Sequence, residues 1–134
     1  MFFVNEKGVE QTIQFALENW WISDYTSFSS QKPSGFYIQS VEKTELLVLD
    51  HAKQEAMLKA VPGMERYFRL VHQRAHAASQ FRFRFFYEYS REKLYTEFIR
   101  QFPAFVQRIP QYLLASYLGF TPEYLSELRK KHIS

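Results

Sequence analysis

The fold of this chain depends most on residues 110–131, PQYLLASYLGFTPEYLSELRKK. Pro110 suits the start of a helix, where its missing N–H costs nothing, and Gly119 suits the left-handed residue that ends one. Thr121 is a typical N-cap for a second helix, which we expect to run to about Lys131. A connection of three or four residues is too tight for antiparallel packing, so the pattern predicts two short helices that cross near a right angle.

The two predicted helices carry the apolar frame that such a crossing needs. Ala115 supplies the small residue at the contact point. The other interior positions are all apolar: Leu114, Leu118, Phe120, Leu125 and Leu128. This combination is typical of a helix-turn-helix, which places its second helix in the major groove of DNA. An αα-corner with no role in DNA binding is the alternative interpretation.

The exposed side of the second helix supplies the candidate DNA contacts. Glu123 lies near the helix start and is able to accept a hydrogen bond from a cytosine amine. Arg129 and Lys130 are better placed for phosphates, which set affinity rather than sequence preference. Glu127 is an acid on this side, and it is costly there unless it pairs with a base amine or an arginine. The predicted DNA-binding residues are Thr121, Pro122, Glu123, Tyr124, Ser126, Glu127, Arg129 and Lys130.

Composition limits the remaining choices. The chain has 134 residues and a net charge of +3. Residues 82–134 hold nine Lys and Arg against five Asp and Glu, whereas residues 1–81 are nearly neutral. A basic carboxy-terminal part favours nucleic-acid binding there. The absence of cysteine excludes disulfides and thiolate metal sites. No apolar run reaches the roughly 18 residues of a membrane span, and no signal peptide is evident, so we expect a cytoplasmic protein without a membrane partner.

The first third of the chain has strand patterns. Residues 9–16 alternate apolar and polar side chains, which predicts a half-buried strand paired with Phe2-Phe3-Val4 across a turn at 5–8. Residues 35–40 and 44–49 are interpreted as two more strands. The Ser-rich residues 27–35, which precede these two strands, are interpreted as a loop.

Helical patterns follow. Asp50 is a candidate N-cap for a short helix to about Ala60, and Val61-Pro62-Gly63 ends it. A long helix is expected from Met64 to about Tyr89, with apolar residues at alternating spacings of four and three, typical of a dimer seam. The predicted dimer-interface residues are Met64, Phe68, Val71, Ala75, Ala78 and Phe85, with Arg82 at the remaining seam position.

The alternative for this long helix is packing on the core of its own chain. Ser90 is a candidate cap for a further helix to about Gln101, which Phe102-Pro103 ends.

The order of these parts resembles the Crp/Fnr family of bacterial transcription regulators. The resemblance is carried by residues 18–25, ENWWISDY, by residues 62–69, PGMERYFR, and by residues 109–131. It implies an α+β fold with a partial antiparallel β-roll of the cyclic-nucleotide-binding type, a long dimerisation helix and a carboxy-terminal helix-turn-helix. The corresponding domains are residues 1–61, 62–89 and 90–134. The front half of such a β-roll would precede Met1, so we expect the chain to be a fragment, a gene model started too late, or a degenerate member.

The resemblance also marks a candidate effector site. Ser23-Asp24 stand where the family's phosphate-binding cassette has Gly-Glu, and Lys32-Pro33-Ser34 stand where it has Arg followed by Ser or Thr. Ser23, Asp24, Lys32 and Ser34 are therefore the candidate effector-binding residues. Proline offers a phosphate neither charge nor N–H, so we expect no cyclic-nucleotide cofactor in the usual mode, and the small-molecule effector is unidentified.

The expected function is that of a dimeric regulator whose partners are double-stranded DNA and a second copy of the chain. The alternative is an effector-binding or dimerisation module that has lost DNA binding. An enzyme is not expected. His72 and His76 have the spacing of two metal ligands, but no Glu follows the first His and Arg74 lies between them, so no metal site is expected.

Overall fold

A computed structural model describes residues 1–133, and its secondary structure is mixed, with helices predominating. This content is compatible with the predicted α+β class. The strands are β1 (Phe2–Val4) and β2 (Glu10–Thr12). The helices are α1 (Tyr25–Ser30), α2 (His51–Ala60), α3 (Met64–Glu88), α4 (Arg91–Gln101), α5 (Pro103–Arg108), α6 (Gln111–Leu118) and α7 (Pro122–Ile133). None of these helices combines the length and the apolar character needed to cross a bilayer.

The amino-terminal hairpin is the predicted one, but shorter. β1 and β2 pair antiparallel, with Phe3 opposite Gln11. Asn5 shapes the turn, since its side-chain oxygen accepts hydrogen bonds from the backbone of Lys7 and Val9, each at 3.0 Å. The strand predicted over residues 9–16 ends at Thr12, because β1 offers only three residues for pairing.

The two further strands predicted from sequence are not formed. Residues 35–40 contribute one isolated bridge, in which Tyr37 exchanges backbone hydrogen bonds with Phe2 at 2.8 and 3.0 Å. Residues 44–49 are not a strand either, and Leu47 is 98% exposed. Strand-forming side chains stabilise a strand only against a neighbouring strand and a packed face, and the described residues give this segment neither.

Two short helices were not expected. α1 overlaps the first part of the stretch interpreted as a loop, residues 27–35. Its start is capped by Asp24, which accepts from the backbone of Thr26 and Ser27 at 3.1 and 3.2 Å, and its Ser30 hydroxyl bonds to the Thr26 carbonyl at 2.7 Å. α5 follows the break at residues 102–103 at once, with Pro103 as its first residue. The Asp24 cap therefore starts a helix that runs into the serine-rich stretch, and Pro103 starts the other.

The remaining helices agree with the sequence patterns. Asp50 caps α2 by accepting from the Lys53 backbone at 2.8 Å, and the helix ends before Val61. α3 has 25 residues and ends one residue before the expected position. α4 begins directly after Ser90.

The chain forms two compact units. The first joins Met1–Thr44 with the residues from Arg91 onward, and the second is Glu45–Ser90. The expected domain boundary at 61/62 falls inside the second unit, where α2 packs against α3. The core of the first unit comes mainly from α4, α6 and α7, and its buried apolar residues are Leu94, Tyr95, Ile109, Leu114, Ala115, Leu118, Phe120, Leu125 and Leu128.

Candidate nucleic-acid interface

The connection between α6 and α7 has the residues and bonds expected of a tight turn. Gly119 is left-handed, with a φ of 74°, and the N–H of Phe120 reaches back to the Ala115 carbonyl at 2.8 Å. The Thr121 hydroxyl then accepts a hydrogen bond from the Tyr124 backbone at 3.2 Å, which caps α7. The predicted roles of Gly119 and Thr121 are confirmed.

Replacement of Gly119 by Ala tests this turn. We expect a loss of about 1 kcal/mol in the free energy of unfolding, because L residues adopt left-handed backbone angles at that cost. A Cβ at this position meets no atom within 4 Å, so no steric clash adds to the backbone strain. Denaturant unfolding followed by tryptophan fluorescence measures it, since Trp20 and Trp21 belong to the same compact unit.

Gly35→Ala is the matched control for that measurement. Gly35 also has open space where a Cβ would lie, but its φ is not left-handed. Its replacement should leave stability unchanged or slightly higher. Equal losses in the two variants would show that backbone strain at Gly119 is not the cause.

The interior frame of the helix pair is fully formed. Leu114 and Ala115 are 0% exposed, and Leu125 and Leu128 are 1% and 2% exposed. α6 packs directly against α7. The frame predicted from sequence is thus buried at every position, and α7 has a distinct outward side.

Most of the predicted DNA contacts lie on that outward side. Seven of the eight residues are exposed: Thr121, Pro122, Glu123, Ser126, Glu127, Arg129 and Lys130. Tyr124 differs, because it is half-buried and its ring packs edge-on against Phe120 at 5.3 Å. The Arg91 guanidinium lies over the Tyr124 ring at 5.8 Å. Tyr124 therefore supports the start of α7 from within the unit.

The charge on this side is mixed. Glu123 and Glu127 are exposed carboxylates, and Lys130 is an exposed cation on the same side of α7. Arg129 lies close enough to Tyr95 of α4 to affect its titration. Burial raises the pKa of Tyr95, and the positive charge of Arg129 opposes that shift. The exposed cations of α7 therefore lie in its carboxy-terminal half, away from Glu123.

The amino-terminal segment is attached to α6, a contact that sequence reasoning missed. The Ser116 hydroxyl accepts from the Thr12 backbone at 2.8 Å and donates to the Glu10 carbonyl at 3.1 Å. Phe15 lies between Phe105 and Tyr117, each at 5.1 Å between ring centroids. These contacts hold the outer side of α6, opposite its buried frame.

An ion-pair cluster, also missed from sequence, attaches the same segment to the end of α5. Arg108 donates to both carboxylate oxygens of Glu18, at 2.8 and 3.1 Å, and also to Glu42. The hydrogen bond from Arg108 lowers the pKa of Glu18. The paired residues are separated by 90 and 66 positions, so no local pattern marks them.

The four candidate effector residues are brought together. Ser23, Asp24, Lys32 and Ser34 all line one pocket of about 470 Å³, beside α1. The Ser34 hydroxyl donates to Asp24 at 2.7 Å, which lowers the pKa of that carboxyl. Asp24 is thus engaged with Ser34 and with the start of α1, while Lys32 is exposed at the rim.

The predicted dimer seam lies along α3. Phe68 is buried, Met64, Val71 and Phe85 are half-buried, and Ala75 and Ala78 are exposed. Residues 72–81 are exposed on every side of the helix. Phe81 is 51% exposed within this stretch. Within residues 1–133, no group of three or more His, Asp or Glu side chains lies close enough to hold a metal ion.

Comparison with known proteins adds no family assignment. No protein-family model matches the chain, and no curated protein matches it significantly.

Proposed function

We propose that this chain is a DNA-binding transcription regulator in which α6 and α7 form a helix-turn-helix and α7 enters the major groove. The observation that carries the proposal is the pairing of a buried frame with a capped turn. Ala115 and Leu114 are inaccessible, Gly119 and Thr121 set the turn, and the opposite side of α7 is exposed and polar. Such a helix has its inward side occupied and its outward side available for base edges.

The outward residues divide by the part of DNA they suit. The amino-terminal half of α7, where a recognition helix reads bases, presents Glu123, Ser126 and Glu127. A carboxylate at this place accepts a hydrogen bond from the N4 amine of cytosine. Lys130 and Arg129 lie further along and suit phosphates. The resemblance to Crp/Fnr regulators agrees with this division.

The proposed regulator works as a dimer through α3. A helix of 25 residues with its middle exposed on every side is too long for the core of a small unit. Exposed Ala75 and Ala78 allow the close approach of a second helix. Two copies of α7 would then read half-sites about one helical turn apart.

The amino-terminal residues serve as the effector-sensing part of the proposed regulator. We infer that β1, β2 and α1 belong to a partial β-roll, with the pocket at Asp24 and Lys32 as its ligand site. Ser116 attaches this segment directly to α6, and Arg108 attaches it to the end of α5. A change at the pocket would in this way reach the DNA-binding helices.

DNA binding is tested with a labelled pool of random duplexes, titrated with the full chain at several NaCl concentrations. We expect an affinity that falls steeply with salt, since neutralised phosphates release counterions. Lys130→Ala should reduce the slope of log affinity against log salt by about 0.9, the value for one phosphate contact. Lys43→Ala removes the same charge from an exposed loop and should leave the slope unchanged.

A dimeric effector-binding module without DNA affinity is the second candidate, and the two carboxylates on the outward side favour it. Glu123 and Glu127 repel phosphates unless they meet base amines. A folded dimer that shows no salt-dependent binding to the duplex pool, even at low salt, would support this candidate and contradict the regulator.

A further inference from the structure

The amino-terminal half of α7 carries no exposed cation. Glu123 and Glu127 are exposed there, whereas the exposed cations of α7 lie toward its other end, at Arg129, Lys130 and Lys131. Affinity for duplex DNA comes largely from Lys and Arg at phosphates. If α7 reads bases, further cations must be held near its amino-terminal end by neighbouring elements.

α4 holds one cation at that place. Arg91 is the first residue of α4 and is exposed, and its guanidinium carbon lies 5.8 Å from the centre of the Tyr124 ring. Tyr124 is in the first turn of α7 and is itself fixed edge-on against Phe120. A guanidinium within about 6 Å of an aromatic face is attracted by it, so the ring orients this side chain.

A guanidinium held in this way keeps its hydrogen-bonding capacity. Its N–H groups point outward in the guanidinium plane, and that fork matches two oxygens of one phosphate. α4 is anchored beneath it, because Tyr95, one turn further on, is only 4% exposed. Arg91 is therefore an oriented cation beside the start of α7.

We propose that Arg91, seated on Tyr124, is a phosphate-binding residue that contacts the DNA backbone next to the bases read by α7. It lies outside the α6–α7 pair, and this inference rests on the proposed function. The contact adds affinity without sequence preference, because every duplex presents the same phosphates. It also gives half-buried Tyr124 an indirect role, as the platform for Arg91.

The test compares Arg91→Ala with Lys93→Ala in the full chain, on two duplexes of unrelated sequence at several NaCl concentrations. Both variants remove one positive charge from α4, but Lys93 is about 200° around the helix from Arg91. We expect Arg91→Ala to reduce the slope of log affinity against log salt by about 0.9. When salt is lowered from 1 M to 0.1 M, the affinity of this variant should therefore increase about eightfold less than that of the unmodified chain. The loss should be equal on both duplexes, and Lys93→Ala should match the unmodified chain. Arg91→Lys should recover part of the loss, because it keeps the charge but not the planar fork.

The outcomes separate the two proposals. If the unmodified chain binds DNA and Arg91→Ala binds as well, Arg91 makes no contact and the proposed function stands. Equal losses in Arg91→Ala and Lys93→Ala would indicate only a general charge effect and overturn the inference. A loss confined to one duplex would indicate base recognition and overturn the phosphate assignment.

If the unmodified, folded chain does not bind either duplex, the proposed function fails and this inference with it. Thermal unfolding of each variant checks that the fold is retained.

Discussion

Leu114→Ala is expected to lower the free energy of unfolding of the first compact unit by about 3 kcal/mol. Leu114 is 0% exposed and lies at the centre of the frame between α6 and α7. Its truncation removes buried apolar surface and leaves a cavity, because a close-packed interior relaxes only partly around the missing atoms. Because native proteins have only about 5–15 kcal/mol of stability, a loss of this size takes a large share of it.

Leu113→Ala is the control for that measurement. It makes the same substitution on the same helix, with the same change in helix propensity, but Leu113 is only half-buried. Denaturant unfolding followed by tryptophan fluorescence should give a clearly smaller loss for this variant. A loss as large as that of Leu114→Ala would mean that burial at the frame does not dominate the stability of the unit.

Local determinants explain why the helix pair could be predicted from sequence. Gly119 and Thr121 act within four residues of themselves, through a left-handed backbone angle and a capping hydroxyl. The spacing of Leu114, Leu125 and Leu128 sets which side of each helix is buried. The cap of α2 at Asp50 is local in the same way.

Non-local pairing explains the failures in the first third of the chain. The alternation in residues 9–16 indicates which side of a strand would be buried, but the length of the strand depends on β1, which pairs with only three residues. Residues 44–49 have strand-forming side chains and no neighbouring strand among the described residues. Strand propensity describes fit to a packed, pleated surface, so it predicts little where that surface is missing.

The attachment of the amino-terminal segment to α6 also lay beyond sequence reasoning. In the sequence, Ser116 is simply a polar position of a short helix, and only the structure brings Thr12 to its hydroxyl. Arg108 is likewise one of many arginines until the fold brings Glu18 and Glu42 to it. The pocket is different, because its four predicted residues lie within twelve positions of one another and the local path of the chain at α1 brings them together.

Ala78→Glu is expected to abolish the proposed dimer and to weaken DNA binding by about a hundredfold or more. In a parallel seam along α3, the two copies would place the introduced carboxylates together in an apolar contact, where unpaired charges cost several kcal/mol each. Loss of the dimer removes the second half-site contact, and linked binding sites commonly gain a factor of about 100 to 10,000 from acting together. Analytical ultracentrifugation measures the mass, and the duplex titration measures the affinity.

Ala77→Glu is the control that makes this test specific to one side of α3. Position 77 is adjacent, also exposed in the single chain, and rotated by about 100° around the helix, away from the seam. Helix propensity and net charge change identically in the two variants, so a difference between them comes from the position of the carboxylate. Ala77→Glu should remain a dimer and keep nearly all of its affinity, apart from the small effect of one added negative charge. If Ala77→Glu dissociates and Ala78→Glu does not, the seam lies on the side of α3 that carries position 77. If both variants remain dimers, the interface lies outside α3.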